Sequence, residues 1–147
     1  MIVLIDTNIL LDFLLKRELY YKESKEVLMA CTHNNEISGL VAMHSINDLW
    51  YMLRGLNDID RRKCIRLICI AFRVCFTNHE EVLNQIENKK FKDFEDSIVE
   101  SVAYVNKADY IITRNTKDYK YSRVEAVTPK EFISKFKIKR DYYERNR

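Results

Sequence analysis

The run Ile2-Val3-Leu4-Ile5, stopped by Asp6, constrains this chain more than any other stretch. An unbroken apolar run of this length reads as a strand buried on both faces, the kind found inside a parallel sheet. It ends in a carboxylate, followed by Thr7, Asn8 and a helical pattern from Ile9. In open α/β sheets the ligand crevice lies just beyond the carboxyl ends of the strands. Asp6 therefore stands at the mouth of such a crevice or caps the next helix, a position Asp commonly fills.

The remaining pattern alternates between helix and strand. Residues 9–15 and 20–33 read as helices and 36–40 as a short strand. Over residues 43–53, Ile46, Leu49, Trp50 and Leu53 recur at i, i+3, i+4 and i+7, one face of a helix. Residues 61–72 read as another helix and 73–76 as a strand. Asn78 followed by Glu81 resembles a capping box and predicts a helix start. Residues 93–107 follow as a helix, then strands over 110–113 and 124–127. Thr128-Pro129-Lys130-Glu131 opens a last helix with proline at its first position. Strands separated by helices predict parallel pairing through right-handed crossovers. No repeat, low-complexity tract or linker divides residues 1–147, so one α/β sandwich with a central parallel sheet flanked by helices is expected.

Composition narrows the function classes. With 147 residues the chain can bury a proper core, and 47% hydrophobic against 32% charged residues suits a soluble globular protein. No apolar run approaches the ~20 residues needed to span a bilayer. No basic leader precedes the first strand, so a cytoplasmic protein is expected. Cys31, Cys64, Cys69 and Cys75 form no C-x-x-C pair and read as reduced structural thiols, while His33, His44 and His79 give no H-x-x-x-H pair. The only glycines are Gly39 and Gly55, which excludes a Walker A loop and a G-x-G-x-x-G turn. The net charge of +3 is small, but Lys135, Lys137, Lys139, Arg140, Arg145 and Arg147 make the tail 135–147 basic. Arg61-Arg62-Lys63 forms a second basic cluster. Such clusters are solvated surface or contacts for phosphate.

Acidic residues occupy telling places on this map. Asp6 closes the first strand. Asp48 lies about 200° around its helix from Ile46, on the face it shares with His44 and Tyr51. Asp96 shares a helical face with Val99 and Ala103, and Asp118 follows the strand at 110–113. Each has an ordinary reading as well. Asp93 and Asp96 suit a helix N-terminus, Asp48 a solvated face, and Asp118 a turn. Asp6 and Asp118 both follow strands, however, and so lie at one end of a parallel sheet. Carboxylates converging there repel one another unless a cation neutralises them. Magnesium is usually held by a few carboxylates plus water and substrate phosphate, and phosphodiester hydrolysis is the chemistry such a site performs.

Taken together, Ile5-Asp6-Thr7-Asn8-Ile9-Leu10 with Asp12, Asn47-Asp48-Leu49-Trp50-Tyr51, Asp93-Phe94-Glu95-Asp96, and Thr113-Arg114-Asn115 leading to Lys117-Asp118-Tyr119 resemble a PIN domain. More narrowly they resemble the toxin-type, VapC-like PIN proteins of prokaryotic toxin–antitoxin pairs, over nearly the whole chain. The resemblance implies a PIN-like sandwich, Mg2+- or Mn2+-dependent endoribonuclease activity on RNA, frequent homodimers, and an antitoxin protein that blocks the site. It matches Asp6 and Asp96 to the first and third family acids and puts Asp48 where the family usually has glutamate. At the fourth site Asn115 stands where many members have Asp, while Asp118 keeps a carboxylate. By the same resemblance Asp93 is an outer acid, Thr7 or Thr113 orients a coordinated water, and Asn8 braces Asp6.

The alternative is a PIN-like module without activity that binds RNA or protein, for which the shortened Asp48 and the neutral Asn115 speak. A haloacid dehalogenase-type phosphotransferase would need a second Asp where Asn8 stands. A receiver domain would need adjacent acids at the first strand, where only Asp6 is present.

Overall fold

The computed structural model describes residues 1–136, which fold around one parallel sheet. Its central strand is β1 (Ile2–Ile5), flanked by β2 (Ser38–Ala42) and β3 (Arg73–Cys75) on one side. On the other side lie β4 (Tyr110–Ile112) and β5 (Glu125–Val127), giving the order β3-β2-β1-β4-β5. The connections carry α1 (Thr7–Leu14), α2 (Tyr21–His33), α3 (Met43–Met52), α4 (Asp58–Ala71), α5 (His79–Glu87) and α6 (Phe94–Val105). A short 3-10 turn, Thr116–Tyr119, joins β4 to β5, and α7 (Pro129–Lys135) follows.

This order contains a reversal. The chain steps outward from β1 through β2 to β3, then returns to pair β4 against the opposite edge of β1. At such a switch point the connections leaving neighbouring strands diverge and open a crevice outside the strand ends. Here the two ends are tied together, because the Asp6 N–H donates to the Ile112 carbonyl at 3.0 Å.

Both faces of the sheet are covered, which is why β1 lacks the alternation of a half-exposed strand. Val3 and Ile5 point to one side and pack with Leu10, Val27, Leu49, Ile68 and Phe132, from α1, α2, α3, α4 and α7. Leu4 points to the other side and packs with Val99 and Val102 of α6. Helix α6 therefore approaches the strand ends from one face and α1 and α3 from the other. Gly39 in β2 is required by close approach, since a Cβ there would lie 2.6 Å from Phe72 Cδ1.

The caps follow local chemistry. Asn78 accepts from the Glu81 N–H at 2.9 Å, and Asp93 from the Glu95 N–H at 2.8 Å. Thr128 and Glu131 complete a reciprocal capping box behind Pro129. Most boundaries shift by a residue or two from the sequence pattern, and three of the shifts have a clear local cause. Helix α1 begins at Thr7 rather than residue 9, because Asp6, with φ −68° and ψ 149°, occupies the cap position. Helix α4 begins at Asp58 rather than residue 61, because Asn57 accepts from the Asp60 N–H at 2.9 Å before the apolar pattern starts. Strand β2 covers 38–42 rather than 36–40, because its register places Ser38 beside Ile2 and Leu40 beside Leu4.

No helix among the described residues is long and apolar enough to cross a membrane. Of the basic tail expected at 135–147, Lys135 pairs with Glu125 at 3.0 Å, and residues 137–147 lie outside the described residues.

Candidate active site

Asp6 sits in the N-cap position of α1, yet its side chain makes no capping bond. Its carboxylate instead accepts the Thr113 hydroxyl at 2.9 Å. Thr113 follows β4 and is itself fixed by the Asn115 N–H, which donates to its hydroxyl oxygen at 3.1 Å. The carboxylate is thus turned from the helix toward the switch-point crevice. Burial pushes its pKa up, against the lowering effects of Thr113, the Thr7 backbone and the Arg114 charge.

Helix α6 delivers the next acids. Asp93 spends its carboxylate on the cap, and the first turn of α6 then carries Glu95 and Asp96. Asp96 accepts from the Tyr119 hydroxyl at 3.3 Å. Its pKa is pushed up to about 6, by burial first and then by the charges of Asp6, Asp93 and Asp118, with the Tyr119 bond opposing. Glu95 is pushed up to about 7, by burial first and then by Asp48 and Asp93, with Asp6 a smaller influence. The charges of Asp6, Asp93 and Asp118 thus act on Asp96, and those of Asp48, Asp93 and Asp6 act on Glu95.

From the opposite face of the sheet, α3 contributes Asp48 and, four residues earlier, His44. One carboxylate oxygen each of Asp48 and Glu95 and a ring nitrogen of His44 lie within 4.8 Å of one another. Asp48 Oδ2 and His44 Nε2 are enclosed and have no hydrogen-bond partner among the described residues. Burial pushes the His44 pKa down, opposed by the Asp48 charge. The Asp48–Glu95 contact becomes a hydrogen bond only while one carboxyl keeps its proton.

The other residues singled out in the sequence take varied places. The Thr7 hydroxyl donates to Ser45 Oγ at 2.8 Å in the interior and so binds α1 to α3. Asn8 is half-buried and makes no hydrogen bond to Asp6 among the described residues, so the brace on Asp6 is Thr113. Asn115 and Asp118 are both exposed at the rim, and it is the Asp118 charge that reaches Asp96.

Sequence reasoning gave no role to Glu95, His44 or Tyr119. The spacing of His44 and Asp48, one helical turn apart, was the available signal for His44. Asp12 and Arg114 stand in the motifs quoted above, but the sequence assigned them no part in the support beneath the site. Asp12 is 0% exposed and is held by Arg17 at 3.3 Å, Arg114 at 3.3 Å and the Ser24 hydroxyl at 3.4 Å. Arg114 also stacks on Tyr20 at 4.0 Å. Asp12 thereby fixes Arg114, whose charge acts on Asp6.

Carboxylates whose pKa values are pushed up by burial and by one another, together with enclosed ligand atoms lacking partners, describe a site short of positive charge. The residues fit a hard divalent cation, which takes oxygen donors and leaves positions for water.

A family model described as PIN domain matches residues 2–117. No curated protein matches the chain. Three solved structures are similar in fold. VapBC-1 from nontypeable Haemophilus influenzae has a TM-score of 0.70 at 16% identity, covering 88% of this chain and 99% of that one. VapBC2 from Rickettsia felis, bound to a DNA fragment from its promoter, has a TM-score of 0.68 at 14% identity, covering 87% and 98%. PAE2754 from Pyrobaculum aerophilum has a TM-score of 0.61 at 16% identity, covering 95% and 100%.

Proposed function

The chain belongs to the PIN-domain family, and from that membership and its acidic crevice we propose that it is a metal-dependent endoribonuclease, the toxin of a toxin–antitoxin pair. What supports this reading is that Asp48 and Glu95 come together with His44 across the sheet, that Thr113 holds the Asp6 carboxylate, and that the charges of Asp6 and Asp118 help push the Asp96 pKa up. Asp6, Asp48, Asp96 and Asp118 would hold the ion, Mg2+ or Mn2+. A bound divalent ion supplies Lewis-acid activation of water and countercharge for the phosphodiester.

The protein's own groups prepare that chemistry. Thr113 fixes the Asp6 carboxylate, Tyr119 fixes Asp96, and Asp93 holds the first turn of α6 in place. Two of the fold neighbours are VapBC structures, which supports an antitoxin protein as partner. A homodimer, a cytoplasmic setting and one domain over residues 1–147 belong to the same reading.

Full-length protein freed of bound partners is expected to cleave RNA with MgCl2 or MnCl2 and to stop in EDTA. Asp6→Asn and Asp96→Asn are expected to abolish cleavage while keeping the wild-type circular dichroism spectrum. Cleavage that survives both EDTA and Asp6→Asn refutes the assignment. RNA binding without cleavage under every metal condition selects the inactive module instead.

A further inference from the structure

We propose that His44 is a direct ligand of the divalent ion and that, with Asp48 and Glu95, it makes the site favour a transition-metal ion over magnesium. The inference rests on reading the acidic crevice as a metal site and says which donors complete it.

The geometry is that of a ligand set. Donors around an ion bound at about 2.1 Å lie about 3 Å apart when adjacent and about 4.2 Å apart when opposite. The His44 nitrogen, the Asp48 oxygen and the Glu95 oxygen all fall within 4.8 Å of one another, so a small rotation of side chains closes them on one ion. His44 and Asp48 share a face of α3, while Glu95 comes from α6 on the other side of the sheet. An ion there would therefore clamp the two layers across the strand ends.

A second observation concerns partners. Buried polar atoms in native proteins almost always have one, and an exception marks a strained, functional or ion-binding group. Among the described residues four enclosed side-chain atoms lack a hydrogen bond, and two of them, His44 Nε2 and Asp48 Oδ2, are on residues of this trio. Apart from the proton that Glu95 and Asp48 can share, no donor among the described residues bonds to these atoms, and an ion would take the place of that proton. Glu95 also supplies the reach that Asp48, one methylene shorter than glutamate, does not have.

The identity of the donors then bears on the identity of the ion. Magnesium is held by carboxylates, phosphates and water, whereas imidazole belongs to the ligand sets of transition ions. A site built only from Asp6, Asp96 and Asp118 would not discriminate in this way.

The test uses the full-length protein with MnCl2 and MgCl2 as probes. Calorimetric titration is expected to give tighter binding of Mn2+ than of Mg2+. Pulsed electron paramagnetic resonance of the Mn2+ complex is expected to show coupling to a directly bound nitrogen. His44→Phe keeps the ring volume but removes both nitrogens. It is expected to weaken Mn2+ binding about tenfold or more, to weaken Mg2+ binding less, and to abolish the nitrogen coupling. Bound Mn2+ without nitrogen coupling in the wild type overturns the proposal while leaving the metallonuclease reading intact, and this measurement needs no variant. Unchanged Mn2+ affinity in a folded His44→Phe overturns it in the same way. Failure of the wild type to bind either ion overturns both.

Discussion

Lowering the pH from 8 to 5 is expected to strip the divalent ion from this protein, and the size of the loss follows from two side chains. Ligand carboxylates must be ionised to bind, so each pH unit below a ligand's pKa weakens apparent affinity tenfold. Asp96 is pushed up to about 6 and Glu95 to about 7. At pH 5 roughly one Asp96 in ten and one Glu95 in a hundred are ionised, so affinity falls roughly a thousandfold if both are ligands. It falls roughly tenfold if only Asp96 is one. Had both groups kept the ordinary values of 3.8 and 4.5, the loss would stay under about twofold.

The same linkage predicts proton release. Near pH 6 binding should expel between one and two protons, roughly, falling to about 0.1 at pH 8. Titration calorimetry of MnCl2 at several pH values, each in two buffers of different ionisation enthalpy, reads affinity and proton count together. An affinity that is flat from pH 8 to pH 5 with no proton release would refute the electrostatic account of the crevice.

The metal-free protein should respond in the opposite sense. A carboxyl whose pKa is higher folded than unfolded makes the native state hold more protons. Its stabilising contribution is complete below the unfolded value near 4 and is lost as pH rises through 6 and 7. Both groups are partly open to solvent, and screening reduces the combined effect to about 1 kcal/mol, a fall in Tm of about 3 °C. Saturating ion should reverse that fall.

Three further outcomes are expected. Asp118→Asn should raise the metal concentration for half-maximal cleavage and Asn115→Asp should lower it or leave it alone, because hard cations favour charged oxygen; unchanged metal dependence in Asp118→Asn with loss of cleavage in Asn115→Ala would reverse the assignment. Tyr119→Phe removes the hydroxyl that holds the Asp96 pKa down, so the pH midpoint of Mn2+ binding should move upward; a midpoint unmoved or shifted downward would show that this bond does not tune Asp96. Asp12→Ala leaves Arg17 and Arg114 without their buried partner and should cost about 3 kcal/mol in urea denaturation, whereas a cost under about 1 kcal/mol would mean that the arginines find water instead.

Much of the architecture was legible without coordinates, because the signals that carry it are local. An unbroken apolar run at Ile2–Ile5 requires burial on both faces. Asn78, Asp93 and Thr128 announce helix starts through bonds to backbone groups only two or three residues away. Strands alternating with helices leave a parallel sheet as the consistent solution. Boundaries slipped where pairing, rather than pattern, sets them, as in the register of β2 against β1.

The composition of the site is another matter. Whether Asp6 caps α1 or faces a crevice depends on Thr113, a residue 107 positions away. Glu95 and Asp96 are adjacent on α6, about 100° apart around its axis, and nothing local says which of them faces α3. Only the packing of α6 on one face of the sheet and α3 on the other brings Glu95 to Asp48 and His44. Asp12 looks like any helical acid until the fold buries it against Arg17 and Arg114. Local sequence determines backbone conformation because its causes act within a turn. Electrostatic chemistry depends on charges meeting across layers, so the tertiary structure alone decided which acids of this chain share a site and which merely support it.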